Sequence, residues 1–434
     1  MDKMADVLGR AGAWCGQNKY LSAIKNAFQN FMPLTIAGAI GVLWCNVLVN
    51  ESTGLGIFFK PIMALEFLNP AFQAVNFCTI SCITVGITLG IAQEIGVWNM
   101  GAERAGYIPG LVGLAAWLSV TNTSHMVEGA KEAFTGIAGN ELGATGLFTG
   151  MIIGILSVEL FCFFEKQDAL KIKMPEQVPP GVARAFEVLV PATITLIITA
   201  CIGSACYNLT GLYLNDVIKN GIQGPLGAVG ATIPGVMIIY LVIMLFWLVG
   251  IHGNNMLSAV KEALFTPLAL ENVEKFNKGE KPTNIINMYA LQMWGEFGGS
   301  GVTIGLVIAI MIFGKREDNK AIATLSLVPG LFNINETVTF GIPMVLNPIL
   351  GIPFVVAPLV TIIIGYVLTV IGFCPVACLT VPWTTPPIVF GFLACGANVM
   401  GAVTQAILIV VSTVIYVPFL ISYEKYQNKQ AVEA

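Results

Sequence analysis

The feature that most constrains this chain is a set of long runs almost without charge. Residues 28–49, 72–93, 144–164, 188–209, 342–373 and 403–421 contain among them a single acidic or basic side chain, Glu159. A helix rises about 1.5 Å per residue, so some twenty apolar residues reach across a hydrocarbon core of roughly 30 Å. In hydrocarbon every backbone N–H and C=O must be satisfied within the chain, which leaves helices or closed barrels. The runs lack the period-two alternation of barrel strands, so they read as helices. The remaining composition agrees, with 56% hydrophobic and 11% charged residues against about a quarter charged in soluble domains. The expected fold class is an all-α polytopic membrane protein.

The charges that do occur mark its organisation. Lys3, Arg10, Lys19 and Lys25 precede the first run, favour a cytoplasmic N-terminus, and surround no compact apolar stretch of signal-peptide type. Residues 57–68 are too short and too charged to cross and are expected at the interface. The loop 121–141 carries His125, Glu128, Glu132 and Glu141 against one lysine and suits the outer face. The charged stretch 165–186, EKQDALKIKMPEQVPPGVARAF, is the clearest interruption. We read residues 1–165 as an N-terminal scaffold, 166–186 as an amphipathic linker and 187–434 as a substrate domain, with the scaffold boundary free to extend toward 210. The lysines and arginines of the linker favour the cytoplasm, whereas an odd number of preceding spans would place it outside.

No basic block suggests nucleic acid. The ten cysteines fall mostly inside spans, and Cys78/Cys82 and Cys374/Cys378 have i, i+4 spacing, as small apolar helix residues would. Neither a metal site nor a cofactor is expected. H-E-x-x-H, Walker A, G-x-S-x-G and a retinal-type lysine are all missing.

Glycine and proline interrupt the second half near 295–301, 330–335 and 381–391, the pattern of discontinuous helices lining a polar cavity. Polar residues gather at these breaks: GIHGNN at 250–255, QMWGEFGGSG at 292–301, NINET at 333–337 and PWTTPP at 382–387. A carboxylate at mid-bilayer depth costs roughly 2.5–3.5 kcal/mol, so Glu336 calls for a partner or a function. A neutral polyhydroxyl ligand needs a carboxylate, an imidazole, amides and an aromatic face. Glu336, His252, Asn254, Asn333, Gln292, Trp247, Trp294 and Trp383 supply them. Gly298, Gly299 and Gly301 are expected to bring backbone N–H groups close to the ligand. Asn333 and Glu336 share a face if their segment is helical. The alternatives are a capping or ion-paired Glu336, an interfacial His252 and tryptophans acting as membrane anchors, while Glu296 is expected to face water at a hairpin tip rather than to contact substrate.

GIHGNN, FGGSG at 297–301, NINETVTFG at 333–341 and KMPEQVPPGVARAF at 173–186 resemble enzyme II C, the membrane component of bacterial phosphotransferase systems, in its lactose/cellobiose/diacetylchitobiose branch. Thr337 stands where proline would be expected after the glutamate. The resemblance implies about ten transmembrane helices plus two re-entrant hairpins in the C-terminal half. It also implies a homodimer joined through the first half, both termini in the cytoplasm of a bacterium and residence in its cytoplasmic membrane. The substrate would be a β-linked disaccharide, diacetylchitobiose or cellobiose. Glu336 and His252 would be its principal ligands, Glu336 holding or deprotonating the hydroxyl to be phosphorylated. The phosphoryl group would come from a phosphocysteine on a separate soluble B component, for which the tail after the last span is too short. Two other readings remain: a proton-coupled sugar symporter with Glu336 as carrier, and a transferase acting on lipid-linked sugar.

Overall fold

The computed structural model describes the chain apart from residues 1–9, 11–12, 15–16, 52–55, 57–58, 126–133, 176, 226–229, 343, 346 and 434. Lys3, Glu128 and Glu132 therefore lie outside the described residues. Among the described residues the regular structure is helical apart from one two-residue strand pair, Ser124–His125 with Phe134–Thr135. Contacts group the chain into two compact units, one of residues 17–38 and 75–227, the other of residues 1–16, 39–74 and 228–434.

The first of these is built around α1 (Lys19–Leu43), α2 (Ile83–Met100), α3 (Ile108–Val120), α4 (Leu147–Glu165) and α5 (Pro180–Thr210). With no water to drive helices together in lipid, small residues at their contacts let backbones approach. A methyl group on Gly96 would lie 2.2 Å from Pro109, and one on Gly113 would lie 2.3 Å from Ala92. A methyl on Gly150 would lie 2.2 Å from the Thr88 hydroxyl. Pro33 and Pro191 sit within α1 and α5 without ending them.

The charged segment 166–186 does not part the two units; it lies within this one, whose contacts run on to residue 227. Its ends are tied by ion pairs. Arg104 and Arg184 both reach Glu165, at 2.8 and 2.9 Å, and both reach Glu187 at 2.8 Å. Between α4 and α5 the described residues form one helical turn, Asp168–Leu170, and the N–H of Val178 donates to the Pro175 carbonyl at 3.0 Å, with prolines at 175, 179 and 180 keeping the stretch from becoming a helix.

The second unit contains α6 (Ile233–Leu248), α7 (Gly253–Met256), α8 (Ser258–Asn277), α9 (Met288–Gly295), α10 (Ile304–Phe313) and α11 (Glu317–Leu331). After these come α12 (Glu336–Gly341), α13 (Gly351–Val370), α14 (Val389–Ala394) and α15 (Val399–Glu433). The mixed stretch after residue 254 proves to be a twenty-residue helix, α8, whose polar side chains are absorbed by neighbours: Asn272 accepts from the N–H groups of Thr283 and Asn284 and donates to Ala377. Helix α11 begins where Glu424 of α15 accepts from the N–H of Lys315 at 2.8 Å and of Arg316 at 3.3 Å.

Among the described residues five helices are long and apolar enough to cross a membrane, and two bent pairs raise the number to seven. The bends are 42° before Ile83 and 59° before Ile304. The second falls at the FGGSG break and the first within a run that reads as continuous. The Cys374/Cys378 pair does not follow helical spacing, since α13 ends at Val370 and the chain there is irregular.

Candidate functional site

The site begins where α6 stops. Gly250, at φ +83°, turns the chain so that His252 caps α7, its Nδ1 accepting from the N–H of Asn255 at 3.2 Å. With Nδ1 accepting, the neutral ring carries its proton on Nε2. That nitrogen faces Glu336 Oε1 at 3.8 Å, beyond direct hydrogen-bond range. A hydroxyl between them can donate to the carboxylate while accepting from the imidazole. The ring of His252 leans on Trp247, with centroids 4.4 Å apart, and Trp247 is backed edge-on by Phe354.

The four polar segments foreseen from the sequence are locked together by side-chain amides. Asn254 donates to the Ser300 hydroxyl at 3.1 Å, and Asn335 donates to the Ser300 carbonyl at 2.8 Å. Asn333 accepts from the N–H of Gly298 at 2.6 Å and donates to the carbonyls of Trp383 and Thr385 at 2.5 and 3.1 Å.

These bonds revise several expected roles. All polar atoms of the Asn333 side chain are engaged by backbone, so it acts as a splint between the glycine turn and the Trp383 segment. Its φ of +63° also takes it out of the helix, which starts only at Glu336, so the two side chains do not share a helical face. The N–H of Gly298 goes to Asn333 and that of Gly299 to the Glu296 carbonyl, so neither is presented to a ligand. These glycines serve the chain's approach to itself. At Gly299 and Gly301, with φ of +86° and +79°, a methyl would meet Asn335 at 2.7 Å and Phe354 at 2.4 Å.

Glu296 does not face water. Its carboxylate pairs with Lys261 and accepts from the Tyr240 hydroxyl at 2.7 Å, and the side chains of Glu296 and Lys261 are 16% and 7% exposed. Asn254 Oδ1, Gln292 Oε1, Trp247 Nε1 and Trp294 Nε1 are buried with no protein partner. Such atoms each cost about 1–3 kcal/mol unless something else satisfies them. Trp383 is 44% exposed while its carbonyl is held.

Ser300, Asn335 and Gln405 escaped the sequence reading. Gln405 accepts from the N–H of Ile388 and Gly391 at 2.7 and 2.8 Å and donates to the Met293 carbonyl at 3.2 Å, fastening the broken segment to α9. A lone amide in an apolar run was the available signal for it.

Gly301→Ala is expected to cost about 2–5 kcal/mol, from left-handed strain plus overpacking against Phe354. Gly279→Ala, at φ +72° with open space around it, should show strain alone. Melting in detergent checks the pair, and equal losses would remove the packing argument.

The model of the family "Phosphotransferase system, EIIC" matches residues 25–358. The chain belongs to that family. This EIIC chain is 32% identical over 441 residues to the oligo-beta-mannoside-specific EIIC component of Bacillus subtilis (strain 168), covering 100% of this chain and 97% of that one. It is 30% identical over 486 residues to the cellobiose-specific EIIC component of Lactococcus lactis subsp. lactis (strain IL1403), covering 98% of both. Among solved structures, it matches the transporter ChbC, the IIC component of the N,N′-diacetylchitobiose-specific phosphotransferase system. That match has a TM-score of 0.88 and 30% identity, and covers 96% of each chain. The EIIC chain is thus an integral membrane, sugar-transporting component of a phosphotransferase system.

Proposed function

We propose that this EIIC chain carries a β-linked disaccharide, N,N′-diacetylchitobiose or cellobiose, across the bacterial cytoplasmic membrane and presents it for phosphorylation by a separate B component. The observation that carries this reading is the His252–Glu336 pair, held 3.8 Å apart on two short helices whose bases are cross-linked through Ser300. The names of the relatives support the sugar class, since mannosides, cellobiose and diacetylchitobiose there are all β-linked.

In this reading the sugar hydroxyl lies between the two side chains. Glu336 accepts its proton as the oxygen attacks the phosphorus of the B component's phosphocysteine, and the S–P bond breaks to leave a thiolate. His252 Nε2–H donates to the same oxygen and holds it in line. A general base of this kind contributes about 10²–10⁴-fold. The exposed face of Trp383 offers a surface for the apolar side of a ring, with Asn254 Oδ1 and Gln292 Oε1 as further acceptors.

The protein works as a homodimer joined by its N-terminal scaffold, with about ten spans, two re-entrant hairpins and both termini in the cytoplasm. Movement of the substrate domain against the scaffold carries the sugar inward. Vesicles given phosphoenolpyruvate, the soluble components and labelled diacetylchitobiose or cellobiose should accumulate sugar phosphate, unaffected by an uncoupler. Accumulation of free sugar that collapses with the proton gradient would establish a symporter instead, and labelled lipid a transferase.

A further inference from the structure

Three sulfurs that the transport reading does not use meet beneath the broken segment. Cys374 Sγ lies 3.9 Å from Cys395 Sγ, and Cys395 Sγ lies 3.9 Å from Met293 Sδ. The three residues come from different places: the irregular stretch after α13, the end of α14, and α9. All are buried, at 1%, 4% and 0% exposure. Both thiols also lie within reach of one carbonyl, that of Pro375, at 3.4 and 3.3 Å. Core packing alone would not require three sulfurs to converge.

We propose that Cys374, Cys395 and Met293 form a binding site for a soft monovalent cation, Cu(I), with Ag(I) as its stand-in. Thiolates and thioethers are the ligands that select Cu(I). At the zinc–thiolate bond length of about 2.3 Å, each of the two 3.9 Å edges that meet at Cys395 subtends about 116° at a metal, close to the roughly 120° of a three-coordinate site. Zinc is a poor fit, because its sites take four ligands from thiolate, imidazole and carboxylate, and the third sulfur here is a thioether. Charge favours the monovalent ion as well. Cu(I) displaces one proton, so that one thiolate, one thiol and the thioether hold one positive charge and the buried site stays neutral, which avoids the cost of burying a net charge.

The site would act as a fastener. Beyond Cys374 the N–H groups of Cys378 and Leu379 already donate to the carbonyl of Ala394, at 2.7 and 3.1 Å, and Met293 precedes the glycine turn by five residues. Metal at the three sulfurs joins the segment that carries Trp383 to the helix that leads into that turn.

The test is anaerobic titration of the purified full-length chain in detergent with Cu(I), in competition with a chromophoric Cu(I) chelator. Because the chain has ten cysteines, the result is read as a difference. Cys374→Ala and Cys395→Ala should each abolish the tightest equivalent, and Met293→Leu, which keeps the volume, should weaken it at least tenfold. Cys378→Ala, which removes a nearby thiol outside the triad, should leave it intact. X-ray absorption of the one-equivalent complex should show three sulfur neighbours. Should either alanine variant not purify as a monodisperse protein, the sulfur count on the native chain decides alone. Retention of the tightest equivalent in both variants, nitrogen or oxygen neighbours at the metal, or isolation of Cys374 and Cys395 as a disulfide from protein purified without added oxidant or reductant would each overturn the proposal.

Discussion

Glu336→Gln is expected to abolish sugar phosphorylation while retaining some sugar binding. The amide keeps an acceptor oxygen toward His252 and the hydroxyl, so affinity should fall by about 10–100-fold, the worth of one charge-assisted hydrogen bond of about 1.5–3 kcal/mol. It cannot take the proton, so formation of sugar phosphate should fall by a further factor of about 10²–10⁴. Equilibrium binding of labelled sugar to purified protein gives the first number, and single-turnover transfer from phosphorylated B component gives the second. His252→Gln should instead lower binding and transfer together, because an amide still donates but loses the Nδ1 bond that aims the ring. Undiminished transfer in the Glu336 variant would end its assignment as base, and equal losses in both measurements would make it a binding group only.

The second large effect is expected behind the site. Lys261 and Glu296 form an ion pair that is nearly buried on both sides, with the Tyr240 hydroxyl as the third member. Their elements are α8, the end of α9 and α6, which adjoin in sequence Asn254, the glycine turn and His252 respectively. Lys261→Met leaves a buried carboxylate with only the tyrosine bond, and breaking a pair from one side costs about 3–5 kcal/mol. The double variant Lys261→Met/Glu296→Gln should recover most of that loss, since removing both charges also removes the desolvation they suffer. Melting in detergent, with sugar binding as a second readout, tests both. A double variant as damaged as the single one would show that the charges themselves are needed, and an unchanged single variant would show that the pair contributes nothing.

This cluster marks a boundary in what the amino-acid sequence makes legible. Glu296 lies in a glycine-rich break, and from composition a water-facing charge at a hairpin tip is reasonable. What reverses that reading is Lys261, thirty-five residues earlier in a stretch with no clear apolar pattern. The same holds for Asn333. Its type suits a ligand contact, and only the approach of Gly298, Trp383 and Thr385 reveals that its amide joins two backbone segments. His252 and Glu336, by contrast, were each conspicuous alone, and the structure brings them face to face.

Two kinds of information therefore come from two sources. The long uncharged runs, read by themselves, determine that the chain is a bundle of helices in a membrane, because hydrocarbon leaves only helices or closed barrels and the runs lack the alternation of barrel strands. The breaks in the second half, with their polar residues, point to where we propose the ligand site, because irregular backbone and a carboxylate at that depth are tolerated only where protein or a polar cavity satisfies them. The tertiary structure decides which polar residues are free to meet a ligand and which are consumed as fasteners. That choice depends on hydrogen bonds between residues dozens of positions apart, and a side-chain amide has the same composition whether it faces a sugar or a carbonyl.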